Sequence, residues 1–199
     1  IEIVQILLKS NKVNVNLYSP SSGNTPLITA IEFKNTEIAK LLIEYPKTNI
    51  NMRNYQDHTA LTTAVDKNLL EIIDLLINNE KFNADEINLN YAFLISTGET
   101  AKALMKAKDL DVNYKISLDF KSFKGKSINK DYLEMNEDSL FKTALIEAIN
   151  LNNFEKMKLI IHHPSFDKDR SLLIKSLFIS VLNKSLDIFN YLITMIDDV

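Results

Sequence analysis

Few residues in this 199-residue chain have the types and spacing that nucleotide or metal binding requires. Gly125-Lys126-Ser127 resembles the end of a phosphate-binding loop, but that motif needs a glycine five residues earlier, where Phe120 stands. His162 and His163 are adjacent, so on a helix their side chains would point in different directions and would not share a metal ion. We expect a partly exposed turn before Pro164 there, and neither a nucleotide site nor a metal site.

The sequence also gives no support for catalysis by cysteines or by paired carboxylates. The chain has no cysteine, which excludes a disulfide framework, a Cys-based zinc site and a thiol nucleophile. Carboxylates such as Glu37 and Glu71 fall beside lysines at helix positions that would face solvent, whereas acid–base catalysis needs carboxylates that converge in a cleft. Asn183-Lys184-Ser185 fits the glycosylation pattern, and we interpret it as a chance match at a turn. We therefore predict a protein that is not an enzyme and has no catalytic residues, cofactor or metal.

Composition excludes several further classes of protein. Apolar residues make up 46% and charged residues 25% of the chain, which is typical of a soluble globular protein with a sizeable core. The formal charge of −3 argues against a general nucleic-acid binder, which would be basic. No apolar stretch is long enough for a membrane span, and no signal peptide opens the chain. We therefore expect an intracellular, cytoplasmic protein that binds neither nucleic acid nor membrane.

The sequence contains an internal repeat. Thr25–Ala30 recurs in altered form as Thr59–Ala64, and Glu37–Leu42 recurs as Glu71–Leu76, both at an offset of 34 residues. A third copy begins at Thr143. Repeats of this length indicate stacked units that bury their apolar faces against one another.

Each unit is predicted to hold two short helices. Apolar residues follow the i, i+3, i+4 spacing of amphipathic helices, and Pro26 follows Thr25, as is common in a first helical turn. An Asn-rich stretch such as Asn49-Ile50-Asn51 follows the second helix. The register predicts eight buried residues, Leu27, Ala30, Ile38, Leu41, Leu61, Ala64, Ile72 and Leu75, and four exposed ones, Glu37, Lys40, Glu71 and Asp74.

The combination of Thr-Pro-Leu-x-x-Ala, Glu-Ile-x-x-Leu-Leu and a closing x-Val-Asn resembles the ankyrin repeat. The resemblance implies an all-α fold, an α-solenoid of stacked helix-turn-helix units in one domain over residues 1–199. The expected units are a half repeat 1–16 and repeats at about 17–51, 52–85, 86–113, 114–167 and 168–199. The sequence departs from the family pattern where the turn glycine is replaced by Lys34 or Asn68, and the finger glycine survives only at Gly23.

The resemblance also implies the function, which is to bind another protein through the concave surface made by the fingers (the loops before each helix pair) and the first helices. The positions that would face a partner are Tyr18, Asn24, Glu32, Phe33, Arg53, Tyr55, Gln56, His58, Asp66, Lys67, Asn150 and Leu151. Phe33 either forms an exposed aromatic patch with Tyr18 and Tyr55 or packs under the neighbouring finger. No small-molecule substrate is expected. Two alternatives remain: a regulatory or targeting segment of a larger multidomain enzyme, and a structural spacer without a specific partner.

One finger contains a long insertion, predicted at 114–139. Ile116, Leu118 and Phe120 alternate with polar residues, which predicts a strand, and Lys124-Gly125 could turn it back as a hairpin. A lysine-rich stretch up to Lys130 is followed by four acidic residues between 131 and 138. The insertion is interpreted either as a solvated loop or as an extended finger that contacts a partner.

The two ends of the chain do not have the polar faces that cap a solenoid. The first helix, Ile1–Leu8, has no preceding partner helix, and the last, Ile188–Ile193, is accompanied by Phe189 and Ile196 with only Asp197, Asp198 and Val199 after them. We therefore expect the native chain to continue beyond one end or both, and these ends to associate with each other or with neighbouring molecules.

Overall fold

Pairs of helices joined by short turns form most of the fold in the computed structural model, which describes residues 1–83, 86–117, 141–167 and 169–197. Over these ranges the chain forms eleven α-helices and one pair of short strands. It divides into two units, Ile1–Leu110 and Asp111–Val199. The all-α class predicted from the sequence is confirmed, while the repeat boundaries stay a prediction.

The first unit contains one single helix and three helix pairs. The single helix is α1 (Glu2–Ser10) and the pairs are α2 (Pro26–Glu32) with α3 (Thr36–Glu44), α4 (Ala60–Asp66) with α5 (Leu70–Ile77), and α6 (Glu86–Ile95) with α7 (Gly98–Leu104). We call the first helix of a pair inner and the second outer. Inner helices α2, α4 and α6 pack in that order, and outer helices α3, α5 and α7 do the same. Stacking of like helices is the arrangement of an α-solenoid.

The second unit begins with two strands and continues with two helix pairs. The elements are β1 (Lys115–Ser117), β2 (Phe141–Thr143), α8 (Ala144–Asn150) with α9 (Phe154–Ile161), and α10 (Arg170–Leu182) with α11 (Leu186–Asp197). Inner helices α8 and α10 pack against each other.

The helix starts and the turns between paired helices are set by local sequence. The Thr25 hydroxyl accepts a hydrogen bond from the backbone N–H of Ile28 at 3.2 Å, and Thr59 and Thr143 cap α4 and α8 in the same way. This capping satisfies one of the unpaired N–H groups at each helix start. Left-handed backbone follows each of these helices, at Lys34 (φ 56°), Asn68 (φ 56°) and Asn152 (φ 52°). Lysine or asparagine occupies these positions, where the repeat pattern has a glycine. The turn still adopts the left-handed conformation, which is strained for lysine.

The buried stripe of the outer helices differs from the predicted one. Leu27, Ala30, Leu61, Ala64 and Ile72 are buried as predicted. Ile38, Leu41 and Leu75 are only half-buried, so their predicted burial is wrong. The buried residues of α3 are instead Ala39, Leu42 and Ile43, and those of α5 are Ile72, Ile73 and Leu76. Both the predicted and the observed residues follow helical spacing. Packing against the inner helix buries the residues that lie one position further along the chain.

Two of the residues predicted to be exposed are half-buried instead. They are Lys40 on α3 and Asp74 on α5. Lys40 forms an ion pair with Glu71 of the next outer helix. The stack thus partly covers a charge that an isolated helix would leave in solvent.

Asparagine side chains join consecutive repeats. The Asn51 amide donates to the Lys81 carbonyl at 2.7 Å, and its oxygen accepts from the Asn83 N–H at 3.0 Å. The same pair of bonds joins Asn16 to Lys47 and Asn49, and Asn113 to Ser165 and Asp167. The x-Val-Asn pattern in the sequence therefore marks a side chain that satisfies the backbone of the following loop.

The predicted strand at the start of the insertion is present over Lys115–Ser117. β1 pairs antiparallel with β2, with Lys115 opposite Thr143 and Ser117 opposite Phe141. β2 follows the predicted insertion 114–139 in the sequence. Its pairing with β1 brings the two ends of the insertion next to each other. Leu118, Phe120, the Lys124-Gly125 turn and the charged stretches up to residue 138 lie outside the described residues.

Candidate protein-binding surface

Two adjacent fingers of the first unit, residues 17–25 and 52–59, form the base of the candidate surface. The first finger closes through Gly23 N–H to the Ser19 carbonyl at 2.8 Å. The second closes through Asn54 N–H to the His58 carbonyl at 2.9 Å. The N–H of Tyr55 donates to the Ser22 carbonyl at 3.2 Å, so the two fingers are linked through their backbones.

Amide side chains organise these fingers from within. The Asn54 amide donates to the Asn24 side-chain oxygen at 2.8 Å, and the Asn24 amide donates to the Glu32 carboxylate at 2.6 Å. The Asn54 oxygen also accepts from the backbone N–H groups of Gln56 and His58. Asn24 is only 9% exposed, so it differs from the exposed contact that the resemblance implied, because its polar atoms bond within the fingers. Sequence reasoning missed Asn54, although an Asn at a turn is a signal for this bonding.

Three aromatic side chains lie on the outside of this base. The rings of Tyr18 and Tyr55 stack with centroids 6.5 Å apart and an angle of 28° between their planes. Tyr18 is 48%, Tyr55 67% and Phe33 77% exposed. Of the two alternatives for Phe33, the side chain is therefore exposed rather than packed under the neighbouring finger.

Tyr18 and Phe33 line one open groove of about 540 Å³. Leu17, Pro26 and Thr29 also line it. Leu17 is 61% exposed, and sequence reasoning missed it. The signal was present, because Leu17 is an apolar residue directly before Tyr18 in an otherwise polar loop.

Charged residues of both signs are among the predicted site residues of the first unit. Lys67 forms an ion pair with Asp66 at 2.8 Å. The hydrogen bond that Lys67 donates to Asp66 raises the pKa of Lys67, burial opposes this, and the charges of Asp66 and Glu32 add to the rise. Lys67 therefore stays protonated at neutral pH. Arg53 is half-buried, whereas Gln56 and His58 are exposed.

The last two predicted site residues lie in the second unit. Asn150 and Leu151 are exposed at the end of α8, and Leu151 is 58% exposed. The three aromatic side chains and the charged residues Arg53, Asp66 and Lys67 all belong to the first unit. The first unit thus contains ten of the twelve predicted residues, and contacts within it join Tyr18 to Tyr55, Asn24 to Glu32 and Asp66 to Lys67.

The two histidines considered as metal ligands form hydrogen bonds within the second unit. His162 Nδ1 lies 2.8 Å from the Lys158 carbonyl and its Nε2 lies 3.2 Å from the Tyr191 hydroxyl, whereas His163 Nδ1 contacts Ser165. Over the described ranges, no three His, Asp or Glu side chains form a group that could hold a metal ion.

No helix in the part of the chain that the structure describes has the length and apolarity to cross a membrane. Gly125-Lys126-Ser127 lies outside the described residues.

Comparison with known proteins agrees with this architecture. Residues 1–91 match the family model of ankyrin repeats, in three copies. The chain is also similar to alpha-latrotoxin-Lg1a of Latrodectus geometricus, with 24% identity over 194 residues. This alignment covers 96% of the chain and 14% of the relative, so the chain spans a small part of that protein's length. The family match and the stacked helix pairs together support ankyrin repeats over residues 1–91.

Proposed function

We propose that this chain binds another protein through the aromatic surface, which we define as Tyr18, Phe33 and Tyr55. Ankyrin repeats generally mediate protein–protein interaction and are typically non-enzymatic. The observation that supports this particular surface is the exposure of three aromatic rings of one unit, two of them stacked on each other.

Aromatic rings of this kind are suited to binding a protein. Exposed Phe and Tyr offer a large contact area and lose little side-chain entropy on binding, which is why aromatic residues are enriched among the residues that dominate binding energy. Contiguous exposed apolar patches on soluble proteins are often interaction sites. The charged groups of Arg53, Asp66 and Lys67 would form the polar rim that surrounds the apolar centre of such an interface.

The surface is also held in place before binding. The Tyr55 backbone is bonded to Ser22, and the buried Asn24–Asn54 hydrogen bond fixes the two fingers relative to each other. A rigid surface pays less conformational entropy on binding than a mobile one. We therefore expect the aromatic surface to bind with little change in its backbone.

The alternative is a regulatory or targeting segment of a larger multidomain enzyme. The similarity to a much longer protein is compatible with this role. The aromatic surface would then bind either a separate partner or another domain of the same protein. A catalytic domain in the full-length sequence would support this alternative.

Affinity purification with matched variants tests the proposed surface. The wild-type chain and a Tyr18→Ala/Tyr55→Ala variant are immobilised and exposed to a lysate of the source organism, and the retained proteins are quantified by mass spectrometry. Leu70→Ala, which truncates an exposed apolar residue on the outer helix α5, is the control. The purified partner is then titrated calorimetrically.

We expect one protein to be retained by the wild type and by Leu70→Ala and to bind the double variant roughly 30-fold more weakly, since truncation of dominant interface residues costs about 2 kcal/mol or more. Equal binding to all three chains would show that the aromatic surface is not the interface. Loss of binding in the control as well would point to a different surface or to general destabilisation. Circular dichroism spectra of all three chains check that each variant is folded.

A further inference from the structure

We infer that the protein bound by the aromatic surface presents an arginine side chain beside Phe33, where its guanidinium stacks on the Phe33 ring and pairs with the Glu32 carboxylate. This inference rests on the proposed function, because the arginine belongs to the bound protein. It adds the chemical class of the group that is recognised. The residues that carry the argument, Glu32, Phe33, Asp66 and Lys67, all belong to the first unit.

Glu32 and Asp66 occupy equivalent positions in consecutive repeats. They are 34 residues apart, and each lies two residues before a left-handed turn residue, Lys34 or Asn68. Asp66 ends helix α4, which contacts both inner helices α2 and α6, and Asp66 is nevertheless exposed. Glu32 is exposed as well. Exposure at this position is therefore a property of the repeat itself, because it persists where the inner helix has a neighbour on either side.

The Glu32 carboxylate is oriented by the two fingers. Its Oε2 accepts a hydrogen bond from the Asn24 amide at 2.6 Å, and the Asn24 side-chain oxygen accepts one from the Asn54 amide at 2.8 Å. Within the described part of the chain, Glu32 forms no ion pair. A carboxylate accepts several hydrogen bonds, so Glu32 retains acceptor capacity for a cationic donor.

The charges around Glu32 favour a cation over an anion. Lys67 donates to Asp66 at 2.8 Å, so its charge is already paired. The charge of Glu32 also contributes to the raised pKa of Lys67, which indicates that the two groups lie within Coulombic range. Two carboxylates thus share one ammonium group and leave one net negative charge. This charge attracts an incoming cation, whereas an incoming anion would have to compete with Asp66 for Lys67.

Phe33 favours arginine among the cations. It follows Glu32 directly in the sequence, and its side chain is 77% exposed. A guanidinium is planar and weakly hydrated, so it can stack on an aromatic ring and still donate two hydrogen bonds to a carboxylate. An ammonium is a strongly hydrated point charge. An exposed ring next to an oriented carboxylate therefore fits a guanidinium better.

Peptide titrations of the 199-residue chain, followed by NMR, test the inference. The probes are acetyl-Gly-Ser-X-Ser-Gly-amide peptides in which X is arginine, lysine or citrulline, the last having nearly the shape of arginine without its charge. The arginine peptide should shift the ring signals of Phe33 and the amide signals of Glu32 and Phe33. It should bind about threefold more tightly than the citrulline peptide, since an exposed ion pair contributes about that factor, and more tightly than the lysine peptide.

Variants of the chain test the charges separately. Glu32→Gln removes the charge but keeps an oxygen that can accept the Asn24 amide, so the fingers should remain in place. It should weaken binding of the arginine peptide about threefold, whereas Lys67→Met, which removes the competing cation, should strengthen it. A general loss of structure would not change the affinity in opposite directions. Glu37→Gln, at an exposed carboxylate on the outer helix α3, is the control and should have no effect.

Several outcomes overturn the inference. Equal binding of the arginine and citrulline peptides shows that charge is not recognised, and equal binding of the arginine and lysine peptides shows that the ring does not favour a guanidinium. Shifts that spare Phe33 place the bound arginine elsewhere. Unchanged affinity in Glu32→Gln, or weaker affinity in Lys67→Met, contradicts the assigned charges.

The partner recovered by affinity purification separates this inference from the proposed function. It is titrated against the same variants and against Tyr18→Ala/Tyr55→Ala. If the tyrosine variant weakens its binding and Glu32→Gln does not, the aromatic surface binds a partner without the arginine contact, and only the inference fails. If the tyrosine variant binds it as the wild type does, the proposed function itself fails.

Discussion

Gly23 lies so close to Tyr55 that any side chain at position 23 would collide with it. A Cβ atom on Gly23 would lie 2.5 Å from Cδ1 of the Tyr55 ring and 2.7 Å from the Tyr55 nitrogen. Gly23 also has a φ of +71°, a conformation that other L-residues adopt at a cost. The surviving finger glycine therefore permits the contact between two fingers that positions Tyr55.

The Gly23→Ala variant should destabilise the first unit and displace Tyr55. We expect a loss of about 1–3 kcal/mol in the free energy of unfolding, because strain at a left-handed position adds to the collision. Gly98→Ala is the matched control, since Gly98 has a φ of +52° but a Cβ atom on it would meet no other atom within 4 Å. Urea denaturation measures both values. Equal losses in the two variants would show that the collision with Tyr55 has no energetic effect.

Leu76→Ala should cost much more stability than Leu75→Ala. Leu76 is 1% exposed, whereas its neighbour Leu75 is half-buried. Truncation of a fully buried leucine costs about 2–5 kcal/mol, and the cost falls when solvent can fill the space. The comparison is made by denaturant unfolding at constant protein concentration. A larger loss for Leu75→Ala would restore the buried stripe that the sequence pattern predicted.

Asn51→Ala should weaken the junction between two repeats. Its amide satisfies both the Lys81 carbonyl and the Asn83 N–H, and unpaired backbone groups cost about 1–3 kcal/mol when they are shielded from water. Asn78→Ala is the control, because the exposed Asn78 side chain bonds only within the last turn of its own helix, to Asp74. Thermal unfolding monitored by circular dichroism should show the larger shift for Asn51→Ala. The role of Asn51 as a junction residue is refuted if both shifts are alike.

Replacing residues 118–140 by Asn-Gly should leave the second unit folded. Ser117 and Phe141 are paired across the two strands, so a two-residue hairpin turn can join them without moving either strand. A shorter loop also costs less entropy to close. Helical circular dichroism and a single cooperative unfolding transition are the expected results. Loss of cooperativity would mean that the replaced residues belong to the core.

The stability of the second unit should fall at high pH because of Tyr191. Burial raises the pKa of Tyr191 above the usual value of 10.0, and its ring also packs edge-on against Phe154 at 5.6 Å. The folded chain holds the phenolic proton more tightly than the unfolded chain does. This contribution is therefore complete below pH 10.0 and is lost as the pH rises through the higher pKa of the folded state.

An ultraviolet titration of tyrosinate formation measures this effect. The wild type should contain a tyrosine that titrates above the usual range, and Tyr191→Phe should remove that step and reduce the dependence of stability on alkaline pH. Tyr18→Phe removes a different tyrosine and should keep the step. Persistence of the step in Tyr191→Phe would assign it to another residue.

Local features of the sequence determined the repeat and its helices. Pro26 in a first turn and Asn68 at a left-handed turn each depend on a few neighbouring residues, and the offset of 34 residues between Thr25 and Thr59 shows that such local signals recur. Such signals act within one helix turn, and they therefore identify the helix pairs and the family without knowledge of any distant contact.

Tertiary structure alone decided which of several possible faces is buried and which side chains form a surface. Leu41 and Leu42 both fit helical spacing, and only packing against the inner helix selects Leu42. Asn24 is buried because it bonds to Asn54, which is thirty residues away in sequence. The stacking of Tyr18 on Tyr55 and the pairing of Ser117 with Phe141 likewise join separate segments. Local patterns leave such choices nearly equal in energy, and contacts between repeats determine which is adopted.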